Sequence, residues 1–398
     1  MTKRQGLVLS SVLTLVFIGL APLLQPPWLL TLFLVLFSLL LSLIRDTRYV
    51  SLSIIALAVL YGLGWLSTFV FTCTLGIVVF GEVAFRLTGG EHASYLYHML
   101  AAIVVSIAVM FYLHYTVALV ALMGVVAAVL LRAVLGGRDD ALMVEALGVA
   151  MTMFLFEELK YEVDLSILIA AAVIAFGFGY TSYRLRVADI SGLFSGAMIG
   201  IILIVFADVR WFLIMLTFFI IGAAATRYRY ADKERFGVAQ EHGGVRGYFN
   251  VFANGLVATG GAILYGITGN PAFAALFMSS VASAAADTAA SEIGVTGKTP
   301  YLITTFKPVP RGTNGGVTLR GEVAAILASI IVAAVALVMG VADPKLAIVT
   351  VIAGFIGTNV DSVVGATLEN SGRIGNSGTN LTATFFGGVA GMLLYVLW

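Results

Sequence analysis

An aspartate within an apolar run is costly to keep, and this chain has two of special interest. Asp287 lies in Ala286-Asp287-Thr288-Ala289-Ala290-Ser291-Glu292-Ile293-Gly294, and Asp361 in Gly357-Thr358-Asn359-Val360-Asp361-Ser362-Val363-Val364-Gly365-Ala366. Acidic groups at membrane depth are expensive and commonly functional. On a helix, Asp287 and Ser291 are four apart and share a face. Glu292 stands roughly 140° around the axis from Asp287 and addresses a different side. The plain alternative is a carboxylate that anchors a helix end in water.

Between the two aspartates lies Lys307-Pro308-Val309-Pro310-Arg311-Gly312-Thr313-Asn314-Gly315-Gly316-Val317-Thr318, in a stretch that runs from Lys298 to Arg320. Glycine lets successive backbone N–H groups converge on an anion, and arginine suits bidentate phosphate contact. The stretch is not a Walker A sequence, and it also reads as a flexible loop whose cations only set topology. Two further stretches carry amides. His242-Gly243-Gly244-Val245-Arg246-Gly247-Tyr248-Phe249-Asn250 leads on to Asn254, and Asn376-Ser377-Gly378-Thr379-Asn380 precedes the last apolar segment. Asn250 and Asn254 bind either substrate or a neighbouring helix. Asn380 is either a substrate contact or the N-cap of the final helix.

These residues must be positioned by membrane-spanning helices. Of the 398 residues, 60% are apolar and 11% charged, and the mean hydropathy is +1.04. Soluble domains carry about a quarter charged residues, so lipid must solvate much of this surface. A span needs about 20 mostly apolar residues. The candidates fall near 7–24, 28–44, 50–66, 68–86, 97–114, 116–135, 141–157, 165–183, 189–207, 211–226, 250–268, 272–291, 321–340, 345–367 and 381–397. The expected fold class is therefore all-α, a polytopic transmembrane helical bundle of about fifteen spans. The first run lacks a small-residue cleavage site and reads as a retained span.

Charge placement orients the chain. With the N-terminus cytoplasmic, all of the 22 Lys and Arg fall inside except Lys160, Arg210 and Lys345, as the positive-inside rule requires. The same orientation gathers every motif above at the cytoplasmic face. Two regions differ in character. Residues 1–160 (about seven spans, role unassigned) are rich in Leu and Val. Residues 165–398 (about eight spans) are rich in Gly, Ala, Ser, Thr and Asn, which let membrane helices approach closely.

Other features read as structural. The acidic stretch Glu157 to Asp164 is a solvated outer loop, and Arg227-Tyr228-Arg229-Tyr230 with Lys233 and Arg235 sets topology. His92, His98 and His114 are too scattered for a metal, and Glu82 and Glu145 have no evident partner. A single cysteine, Cys73, excludes a disulfide within the chain. Nothing calls for a nucleic-acid partner.

Taken together, Asp287 and Asp361 resemble a hard-oxygen site for Mg²⁺, which prefers one or two carboxylates plus substrate phosphates. Lys307, Arg311 and the glycine turn would take the remaining phosphate charge. A nucleoside triphosphate arriving from the cytoplasm and a lipid arriving from the bilayer fit this pattern.

The order Ala286-Asp287-Thr288 … Ser291-Glu292-Ile293-Gly294, then Arg311-Gly312-Thr313-Asn314-Gly315-Gly316-Val317, then Asp361-Ser362 … Gly365-Ala366, then Asn376 … Asn380 resembles the integral membrane family that includes plant phytyl-phosphate kinase. That family resembles in turn the CTP-dependent phytol and dolichol kinases and the phosphatidate cytidylyltransferases. The resemblance covers roughly 165–398. It implies transfer of the CTP γ-phosphate to an isoprenyl monophosphate, giving the diphosphate. It implies Asp287 and Asp361 as catalytic metal ligands for Mg²⁺, and Lys307 and Arg311 as catalytic cations. Thr313, Asn314, Gly315, Gly316 and Arg320 would bind the nucleotide. Asn250, Asn254, Ser291, Glu292, Asn376 and Asn380 would lie near the lipid substrate. Two rival readings use the same residues: a cytidylyltransferase acting on a lipid phosphate, and a multi-span transporter. A transporter would gather its polar groups near the midplane, whereas here they gather at one face.

Overall fold

The structure, a computed structural model, describes residues 3–42, 48–89, 92–136, 138, 140–240 and 244–398. His242 and Gly243, read above, lie outside the described residues, as does Arg45, one of the cations assigned to the inside. Among those described, the chain forms sixteen α-helices, one π-helical turn and a two-stranded ribbon. It divides into two compact units, Met1–Leu168 and Ile169–Trp398.

Each expected segment forms a helix. Against an expectation of about fifteen spans, ten helices among the described residues are long and apolar enough to cross a membrane. Four others hold apolar stretches of 10–17 residues. Two helix ends have local causes. The run read as 7–24 ends at Leu20, just before Pro22, because proline removes a donor and constrains its predecessor. The run read as 50–66 ends at Gly62, ahead of Gly64 at φ +76°.

The first unit holds α1 (Lys3–Leu20), α2 (Trp28–Ser42), α3 (Arg48–Gly62), α4 (Thr68–Leu87), α5 (Ser94–Leu113), α6 (Ala118–Leu135) and α7 (Ala141–Glu158). Its buried acids do have neighbours. Glu82 accepts from Arg86 Nε at 2.6 Å and lies 3.2 Å from Arg132 Nε. Glu145 and His98 are both fully buried and stand 3.8 Å apart. All four of their side-chain polar atoms lack a hydrogen-bond partner.

The second unit takes in most of α8 (Leu165–Arg184), then α9 (Ile190–Phe206), α10 (Val209–Arg227), α11 (Tyr230–Phe236), α12 (Tyr248–Thr268), α13 (Pro271–Gly294), α14 (Leu319–Val338), α15 (Pro344–Val364) and α16 (Asn376–Leu397). Helices α13 and α15 start alike. Asn270 and Asp343 are N-caps that accept from Ala272 and Leu346 N–H at 3.0 and 2.7 Å, each followed by proline at the first helical position. Helix α13 is central and packs against α10, α12, α14, α15 and α16. Burying apolar surface drives little association within lipid, so close contact between small residues must do it. Ser279, Ser280 and Ser283 of α13 are fully buried. They sit directly against Gly391, Gly388 and Gly387 of α16, and Ser283 also against Gly357 of α15. A methyl group at any of these glycines would overlap a serine hydroxyl.

Candidate functional site

The C-terminal ends of α13 and α15 meet the first turn of α14 and the start of α16. Together with the loop from Val295 to Thr318 they enclose a cleft of about 860 Å³, counting the space open to solvent. Its lining includes Asp287, Ser291, Arg311, Thr313, Asn314, Gly315, Gly316, Asp361 and Asn376. Nine of the residues expected from sequence are thus brought together from four separate stretches.

The loop is folded by a short antiparallel ribbon, β1 (Tyr301–Leu302) with β2 (Gly316–Val317), pairing Tyr301 with Val317 and Leu302 with Gly316. Ile303 N–H also donates to the Gly315 carbonyl at 3.0 Å. Gly315 has φ +77°, and a Cβ there would come within 2.5 Å of both the Ser362 carbonyl oxygen and Ala366 Cβ. Only glycine lets the loop backbone rest on α15 here. Beyond α15, Gly365–Glu369 forms a π-helical turn, a local feature often found at functional sites. Asn370 Nδ2 donates to the Asn314 carbonyl at 3.2 Å, and Glu369 accepts from Thr379 Oγ1 at 3.2 Å.

Asp287 and Asp361 face each other closely enough for their carboxyl groups to interact directly, and Glu369 adds its charge to both. Asp361 Oδ1 is buried with no hydrogen-bond partner. Ser291 Oγ donates to the Asp287 carbonyl at 2.8 Å, on the face the spacing predicts. Among the described residues no group of three or more His, Cys, Asp or Glu is placed to hold a metal. The Asp287–Asp361 pair nevertheless fits a divalent cation that shares its coordination with phosphate oxygens. The cleft also contains Glu322 and Glu369, so its four carboxylates outnumber its cations, Lys298 and Arg311. A triphosphate entering this field needs added positive charge. Glu322 escaped the sequence reading because an acid in a helix's first turn looks like ordinary dipole complementation. Its Oε2 is buried without a partner.

Other expected site residues lie outside the cleft lining. Glu292 is buried and paired with Lys233 of α11, so it is engaged in packing and is not free for substrate. Lys233, read from sequence as a topology charge, is itself 1% exposed and also donates to the Ala225 and Thr226 carbonyls at 2.8 and 2.9 Å. Arg320 is a brace, its Nη1 donating to the Thr296 carbonyl at 2.8 Å. Lys307 is exposed and is not among the residues lining the cleft. Asn380 is no N-cap, since α16 starts at Asn376 after Gly375, and it is buried inside the helix. Arg311 does reach the cleft. It donates to the Val295 carbonyl at 2.8 Å and stacks on Phe236 of α11, 4.4 Å from the ring centre.

Asn250 and Asn254 belong elsewhere. Asn254 is buried and donates to the Asn250 carbonyl at 2.9 Å. Asn250 lines a second pocket, apolar apart from few groups, of about 640 Å³ counting the space open to solvent. Arg246 lies in the same lining. Burial pulls its guanidinium down to about 10, partly offset by Glu292, and it stays charged at neutral pH.

The sequence matches the family described as "Integral membrane protein DUF92" over residues 173–388, more than half of the chain. An uncharacterized membrane protein of Methanocaldococcus jannaschii is 33% identical over 211 residues, which is 53% of this chain and 87% of that protein. One from Synechocystis is 37% identical over 177 residues, 44% of this chain and 69% of its own. Protein VTE6, chloroplastic, of Arabidopsis thaliana is 40% identical over 166 residues, 40% of this chain and 50% of its own. No solved structure matches the chain.

Proposed function

We propose, from the premise that this chain belongs to the integral membrane protein family DUF92, that it phosphorylates an isoprenyl monophosphate to the diphosphate, using CTP as donor. The observation that carries this reading is the Asp287–Asp361 pair, with one orphaned carboxylate oxygen, facing a glycine loop and Arg311 across one cleft. The likeness to VTE6 and the motif order shared with the phytyl-phosphate kinase family support the same class of reaction.

In this reading the acceptor's phosphate oxygen attacks the γ-phosphorus of CTP, the bond to the β-phosphate oxygen breaks, and CDP leaves. Such transfer needs mostly positioning and charge neutralisation. A phosphomonoester is already a competent nucleophile, so no strong base is required. Asp287 and Asp361 would hold Mg²⁺, which when bound supplies the positive charge that the acid-rich cleft lacks. Arg311 and Lys298 would contact phosphate oxygens. The backbone of Asn314, Gly315 and Gly316 would cradle the triphosphate. We place the N-terminus and the cleft on the cytoplasmic side, where the nucleotide is found, and assign this activity to the region 165–398.

The test is incubation of the purified protein with isoprenyl phosphates and CTP labelled at either the α- or the γ-phosphorus. Incorporation of γ-label into lipid is expected, with Asp287→Asn and Asp361→Asn each inserting in the membrane but inactive. Incorporation of α-label would replace this reading with cytidylyl transfer. Full activity in either variant would sink the metal assignment, and solute flux without nucleotide turnover would favour transport.

A further inference from the structure

The apolar pocket of the second unit is separate in its lining from the acid-rich cleft. It lies between α8, α9, α10 and α12, with walls that include Phe178, Phe212, Met215 and Phe219. One cation breaks this apolar surface. Arg246 is 8% exposed, yet among the described residues it makes no ion pair and no side-chain hydrogen bond. The fold goes to some length to keep it there. Its backbone bridges to the segment before α9, Arg246 N–H donating to the Val187 carbonyl at 2.9 Å and its carbonyl accepting from Asp189 N–H at 3.2 Å. Gly222 of α10 leaves room for the guanidinium, since a Cβ at that position would overlap Nη2. The rings of Phe218 and Phe219 flank it at 5.2 and 5.3 Å, a geometry that favours a retained positive charge. Asp189 on the adjoining segment caps α9, its Oδ1 accepting from Ser191 Oγ and Gly192 N–H.

Glu292, the carboxylate that offsets part of the effect of burial on Arg246, is itself paired with Lys233, and the five fixed donors of Arg246 suit a planar or tetrahedral oxyanion. The surrounding walls, with aromatic rings on α8 and α10, suit a hydrocarbon chain. We propose that this pocket binds a single-chain amphiphile with an oxyanion head, the head on Arg246 beside Asn250 and the chain along the phenylalanine-lined walls. The binding is independent of phosphoryl transfer and requires neither nucleotide nor metal.

The test measures equilibrium binding of labelled geranylgeranyl phosphate to the full-length protein in nanodiscs, without nucleotide, beside geranylgeraniol and palmitate. The phosphate should bind at least about tenfold more tightly than the alcohol, given what charge-assisted hydrogen bonds contribute. Arg246→Gln should erase that preference and leave the alcohol's affinity unchanged. Met215→Trp, which fills the chain pocket and spares the arginine, should weaken both. Palmitate that binds through Arg246 as tightly as the phosphate would identify a fatty acid as a second source of the same head-and-chain chemistry. Unchanged phosphate binding in Arg246→Gln, with unchanged thermal stability, would overturn the proposal, as would unchanged binding in Met215→Trp. Loss of binding in Asp361→Asn but not in Arg246→Gln would move the head to the acid-rich cleft and equally overturn it. Failure here leaves CTP turnover untouched, and failure of CTP turnover leaves this binding intact.

Discussion

Asp287, Asp361 and Gly315 come from three stretches of chain, and a few atoms fix their relation. Gly315 is the most demanding. Its φ of +77° costs an L-residue about 1–2 kcal/mol, and an added methyl would press on the Ser362 carbonyl and Ala366. Gly315→Ala should therefore lift the loop from α15. CTP turnover should fall at least tenfold or so, while membrane insertion stays normal. Kinetics beside a thermal melt will separate the two. At this scale the sequence was informative wherever residue type alone carries chemistry. The aspartates, Ser291, Arg311 and the Asn314–Gly316 turn all line one cleft. It was uninformative about partners. Helical spacing turns Glu292 away from Asp287, but only the structure shows that it meets Lys233 there.

Helix α11 shows what element-level reading misses. Seven residues, Tyr230–Phe236, looked like part of a basic juxtamembrane stretch with no apolar period. The structure makes them a strut. Lys233 ties Glu292 of α13 to the last carbonyls of α10, and Phe236 supports Arg311 in the loop. Removing one partner of a buried ion pair costs about 3–5 kcal/mol, whereas replacing both by apolar groups is often neutral. Lys233→Met should lower the melting temperature of the purified protein and weaken nucleotide binding. Adding Glu292→Leu to it should restore most of the stability. A Lys233→Met protein as stable as wild type would show that the pair contributes nothing. Tertiary pairing of this kind leaves no periodic signal, while the capped starts of α13 and α15, Asn270-Pro271 and Asp343-Pro344, are legible directly.

For the whole molecule, the helical and membrane character follows from composition, and proline and glycine positions account for where α1 and α3 end. Orientation rests on the placement of Lys and Arg and is open to a direct check. In a Cys73→Ser background, Thr305→Cys should react with a membrane-impermeant maleimide only after permeabilisation. Glu162→Cys should react in intact cells. The reverse pattern would invert the topology. Helix α13 has a further consequence. Ser279 lies eight residues before Asp287, about 12 Å along the axis, and its neighbour is Gly391. Gly388 and Gly387 admit Ser280 and Ser283 of the same helix in the same way. The serine–glycine seam is thus a gauge block for the chemistry at the other end of the helix. Silent-looking changes from glycine to alanine deep in α16 would detune the aspartate pair by tenths of an ångström, and second-site changes at Ser279 or Ser283 to smaller side chains would be the natural suppressors.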